Sequence, residues 1–127
     1  MRYHVLEVNN MREVKEKDWK LFRKKLPDWQ EVFIEKLNSE YVSILSDSST
    51  SSAKRFWEVE KRIKQDRKLT GVICEMRRSM MHYNLLSLLD EGAITISDLD
   101  EFSDDLKNAI NHILDIRAEI WDEPEEE

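Results

Sequence analysis

The sequence predicts an all-α protein, a compact bundle of about five helices joined by short loops. Three observations predict it. Only two glycines and two prolines occur in 127 residues, so long stretches carry no helix breaker. Apolar side chains recur at spacings of three and four rather than alternating. The Asn-Gly and Asp-Gly pairs that favour β-hairpins are absent.

Residues 1–10 carry Tyr3, Val5, Leu6 and Val8 in brief alternation and read as a short extended arm laid over the bundle. A first helix over Met11–Lys25 is read from the thin stripe Met11, Val14, Phe22 and Leu26. A second opens at Pro27, whose missing N–H costs nothing in a first turn, with Asp28 and Glu31 at the positive end of the helix dipole. Trp29, Val32, Phe33, Leu37, Tyr41, Ile44 and Leu45 then give it an apolar face.

The stretch DSSTSSA, residues 47–53, is a loop, because its hydroxyl and carboxylate groups compete for backbone partners; Ser51 or Ser52 caps the third helix. That helix runs from Ala53 to Arg67 and sends Phe56, Trp57, Val59 and Ile63 inward. Gly71 ends it or allows the bend into helix four, Val72–Asp90, whose second half is apolar nearly all round and forms the centre of the core. Gly92 sits just past its end. Ser97 with Asp100 resembles a capping box for helix five, Asp98–Trp121; Pro124 stops it, and residues 122–127 form an acidic tail.

At this length the chain is read as one domain, residues 1–127, which buries about two-thirds of its surface without covalent staples. The single cysteine, Cys74, excludes an internal disulfide framework and is expected as a buried, reduced thiol. The charged N-terminus does not resemble a signal peptide, and the longest apolar run, MMHYNLLSLL, is about half of what a membrane span needs. A soluble, cytoplasmic protein with no membrane contact is expected.

Charge is the uneven feature. The formal net charge is -7, yet residues 54–78 hold nine basic and four acidic groups, and residues 90–127 hold two basic and fourteen acidic ones. The chain is a dipole as much as an anion. One consequence is internal: the acidic fifth helix lies against the third and fourth, and opposite charges select neighbours more than they stabilise the fold. The other is external. Lys54, Arg55, Lys61, Arg62, Lys64, Arg67 and Lys68, with Arg77 and Arg78 on the next helix, present a broad positive patch. Such a patch contacts phosphates in a salt-dependent way. No recognition helix, zinc-finger spacing or RNA-binding aromatic strand accompanies it, and the acidic C-terminal part repels a long duplex, so nucleic acid is disfavoured as a partner.

Chemistry is sparse. On helix four, Glu75, Arg78, Ser79 and His82 would stack on one side, the best catalytic-looking cluster, but no nucleophile elbow or Gly-rich nest supplies oxyanion donors. A polar face is the preferred reading. His112 has Asn108 and Asp115 at helical spacing, too few ligands for zinc, and the acidic run Asp98–Asp105 lacks the order and glycine of a calcium loop. No metal and no cofactor is expected. Met76, Met80 and Met81 read as core rather than as an adaptable groove. The four tryptophans, Trp19, Trp29, Trp57 and Trp121, suit the ends of the bundle; Trp19 and Trp121, if exposed, mark an interface such as that of a homodimer.

The function expected is a non-enzymatic module that binds another protein or itself. The alternatives are a nucleic-acid-binding regulator that uses residues 54–78 and a small hydrolase-type enzyme built on Glu75, Ser79 and His82.

Overall fold

A computed structural model describes residues 14–121, with the backbone alone for Trp121. The expected arm, the start of the expected first helix and the acidic tail lie outside the described residues. The described part is all-α: α1 (Glu16–Leu45), α2 (Ser52–Asp66), α3 (Met81–Asp90) and α4 (Asp104–Trp121), with 3-10 turns at Arg78–Met80 and Ile96–Leu99. Among the described residues four α-helices therefore stand where five were expected in the chain, and no strand occurs.

The first two expected helices are one. Pro27 lies inside α1, a helix of 30 residues and about 45 Å. An interior proline removes the bond to the Arg23 carbonyl and costs about 3 kcal/mol. Burial wins: Phe22, Leu26, Phe33 and Leu37 fall on one face across the proline and are all buried, at roughly 1.5–3 kcal/mol each. Pro27 and Arg23 themselves are exposed, so water can reach the freed carbonyl.

The core gathers Phe22 and Leu26 from α1, Met81, Leu85, Leu86 and Leu88 from α3, Ile94, Leu99 and Phe102 from the segment after α3, and Leu106 and Ile110 from α4. Trp19 stacks on Phe22 at 6.1 Å, and Trp29 lies between Phe22 and Phe102 at 6.4 and 6.3 Å. These contacts place the apolar second half of the expected fourth helix at the centre, as its composition implied.

That helix is much shorter than expected. Only Met81–Asp90 is α-helical, because polar side chains take the backbone of the preceding segment. The Glu91 carboxylate accepts the N–H groups of Thr70 and Gly71, both at 2.9 Å, and Gln30 Nε2 donates to the Thr70 carbonyl at 3.2 Å. Asn84 Nδ2 donates to the Glu75 carbonyl at 3.0 Å. Gly71 lies under the Phe33 ring. Gly92 comes just after α3 with φ of 76°, the left-handed position that favours glycine.

The last helix also starts later. Leu99 and Phe102 are drawn into the core, so a 3-10 turn and a bend precede α4. The capping pair at that turn is Thr95 with Asp98, whose Oδ2 accepts the Thr95 N–H at 2.7 Å, not Ser97 with Asp100. α4 is capped by Ser103, whose Oγ accepts the Leu106 N–H at 3.2 Å. Asp18, only 2 % exposed, reaches across from α1 and accepts Ser103 N–H at 2.9 Å and Ser103 O–H at 2.6 Å. One buried carboxylate thus joins the first and last helices.

Candidate functional site

α2 is where the sequence expectation and the structure diverge most. It was expected to bury Phe56, Trp57 and Ile63, yet none of its residues is buried, and Phe56 and Trp57 are 60 and 62 % exposed. The cause is the polar character of its inner face. Arg55, Val59, Arg62 and Asp66, spaced by four, three and four, are half-buried. Arg55 Nη1 donates to the Leu45 carbonyl at 2.7 Å, closing the end of α1. Arg62 pairs with Glu40 at 3.4 Å and with Asp66 at 3.5 Å while its guanidinium lies 5.8 Å from the Tyr41 ring centroid. Tyr41 Oη donates to Asp66 at 2.5 Å, and desolvation together with that bond pushes its hydroxyl up to about 12. Ser51, not Ser52, is the N-cap, accepting the Lys54 N–H at 3.2 Å.

With the arginines turned toward α1, the lysines face out. Lys54, Trp57, Lys61 and Lys64 are all exposed and fall within about 80° of one another at 100° per residue. The sequence predicts one broad positive patch; the structure sorts the cations of α2 into inner arginines and an outer lysine face around Trp57. Lys64 also pairs with Glu60 one turn back at 2.9 Å. Phe56 meets Trp57 edge to face at 5.0 Å, which fixes the orientation of the two rings. Arg67 and Lys68 are exposed just beyond the helix.

The remaining proposed contact residues separate. Arg77 pairs with Glu75 at 2.7 Å, and Arg78 reaches Glu16 and the Val14 carbonyl, tying the 3-10 turn to the start of α1. Trp19 is half-buried over Phe22 with Arg23 at 5.9 Å, and the side chain of Trp121 lies outside the described residues. Trp57, expected in the core, is the exposed tryptophan among those whose side chains are described. The sequence shows that Lys54, Lys61 and Lys64 share its helical face, but not that this face turns outward.

The acidic part sits elsewhere. Asp105 pairs with Lys15 and Glu101 with Lys25, both at 2.8 Å, so the acidic run lies along the first half of α1. These partners raise the Lys15 ammonium and lower the Glu101 carboxyl relative to their ordinary values. α4 packs on α3, and Arg117 joins Asp90 at 3.0 Å, while α2 packs along α1.

The cluster of Glu75, Ser79 and His82 does not form on one helix. Glu75 lies on the irregular segment, Ser79 in the 3-10 turn, and His82, 3 % exposed, in the first turn of α3. Ser79 and His82 do line a cleft of about 850 Å³ with Lys15, Asp18, Arg78 and Asp105. The charged groups of that cleft are already engaged with Asp105, Ser103 and Glu16, and Glu75 is paired with Arg77. The arrangement holds α1, α3 and α4 together.

Cys74 is half-buried against the core, and burial with the nearby Glu91 and Glu75 pushes its thiol up, away from reactive thiolate character. Of the methionines, Met81 is fully buried, whereas Met76 is exposed. Among the described residues no group of three His, Cys, Asp or Glu could hold a metal ion, and no helix is long and apolar enough to cross a membrane. Comparison with protein-family models, with curated proteins and with solved structures finds no match for this chain.

Proposed function

We propose that this protein is a non-enzymatic binding module whose docking element is the hairpin of α1 and α2, and that its partner is a protein surface carrying acidic groups. One observation carries the reading: α2 buries none of its residues yet displays Phe56 and Trp57 beside Lys54, Lys61 and Lys64. Exposed aromatic rings supply desolvation energy on contact, and the lysines add steering and choice of partner. An isolated exposed apolar residue needs no explanation, but an edge-to-face pair of rings on a basic helix does.

The same face favours a second reading. Trp57 among lysines also suits a single-stranded nucleic acid, whose bases stack on exposed rings. A photo-crosslinking residue at position 57, compared with one at the exposed Glu35, separates the two in a native lysate. Protein adducts at position 57 are expected, resistant to nuclease and reduced at least about tenfold in a Lys61→Glu/Lys64→Glu background, since the steering charge is reversed. Equal yields at positions 57 and 35 refute a docking face, and adducts that disappear with nuclease replace the protein partner by nucleic acid.

A further inference from the structure

The two charge poles are held apart along α1. The acidic run Asp98–Asp105 has five carboxylates and no cation, and it is anchored to Lys15 and Lys25 near the start of that helix. The basic face of α2 is anchored at its other end, through Arg55 to Leu45 and Arg62 to Glu40. Some 15–30 residues of helix lie between these anchors, or roughly 20–45 Å. Asp100, Glu101, Asp104 and Asp105 are exposed, as are Lys54, Lys61 and Lys64.

We propose that the docking face of α2 takes a second copy of this chain, with two copies side by side and antiparallel, so that each lysine face lies on the other's acidic run. The proposal rests on the reading of α2 as a docking face and names its occupant. Charge complementarity supports it, because each copy carries both members of the pair on different halves of one rod. Antiparallel alignment brings both pairs together at once, related by a two-fold axis, so the assembly closes at two copies and does not extend into a filament. Trp57 and Phe56 of each copy supply the apolar contact. The contact is modest in area and electrostatic in character, and its strength falls as salt shortens the screening length from about 20 Å to about 6 Å.

Sedimentation velocity of the full chain over a concentration series tests this, at about 20 mM and about 300 mM salt. A monomer–dimer equilibrium is expected at low salt, with Kd raised at least about tenfold at the higher concentration. Two charge-reversed variants provide the specific test: Lys61→Glu/Lys64→Glu, and Asp100→Lys/Glu101→Lys/Asp104→Lys, which leaves three lysines against two carboxylates in the run. Circular dichroism checks that each retains the wild-type helical signal, as expected for exposed positions. Each alone is expected to be monomeric, because both of its contacts become repulsive. An equimolar mixture is expected to form 1:1 heterodimers, in which both contacts are again between opposite charges. A wild-type chain that stays monomeric at low salt overturns the proposal, as does a dimer indifferent to the reversals or growth beyond two copies. A monomer whose position-57 crosslinker still captures a different protein overturns the pairing while leaving the docking face in place.

Discussion

Asp18→Ala is expected to destabilise the fold by about 3 kcal/mol, the loss of two hydrogen bonds to a buried carboxylate together with the donors they leave behind. For a chain of this size the melting temperature should fall by roughly 12 °C. The acid receives both the N–H and the O–H of Ser103 in a site that water barely enters. Ser103 is also the cap of α4, so the substitution frees a residue that orients the helix's first turn. Ser103→Ala should cost less, about 1–2 kcal/mol, because its backbone N–H keeps the Asp18 carboxylate occupied. Thermal unfolding followed by circular dichroism measures both. An Asp18→Ala protein as stable as the wild type would show that α1 and α4 are not joined there.

Gly71→Ala is the second large effect. An added Cβ would lie 2.4 Å from Phe33 Cδ2, 2.8 Å from Cε2 and 2.9 Å from Cγ, closer than carbon atoms approach without movement. The ring is buried and cannot swing freely, so overpacking of about 2 kcal/mol is expected. The cause is steric: φ at this glycine is not in the left-handed region. Phe33→Leu should therefore recover part of the loss, making the double variant less destabilised than the sum of the two singles. Urea unfolding of the four proteins decides it, and strict additivity would remove the proposed contact.

Much of the core was legible because its signal is local. Phe22 and Leu26, the run from Leu85 to Leu88, and Leu106 with Ile110 obey helical spacing, and all those named are buried. Gly92 marked the end of α3 for the same reason. Pro27 misled, since its local preference for a first turn is overridden by a stripe that runs across it. The expected length of the fourth helix failed because the groups that hold its first part extended act beyond helical spacing: Asn84 and Glu91 reach back from the helix's own second half and its end, and Gln30 comes from α1.

The lysine face was harder to see. Counting cations gives their number but not which ones turn inward, and that choice depends on Glu40, Tyr41 and the Leu45 carbonyl across the hairpin. Phe56, Trp57 and Ile63 look like core residues to any periodicity argument. Only the polar inner face of Arg62 and Asp66 explains why they remain outside. The bond between Asp18 and Ser103 spans 85 positions, and no short-range pattern announces it.

The central claim is that one unbroken helix holds the acidic core region and the basic hairpin apart. It is tested most directly by the distance between nitroxide labels on Lys20→Cys and Asn38→Cys, in a Cys74→Ser background, by pulsed electron resonance. Both positions are exposed, lie on one side of α1 and flank Pro27. A single narrow distribution centred at about 27 Å is predicted for 18 residues of continuous helix. A centre below about 20 Å, as two helices folded about Pro27 would give, contradicts the claim.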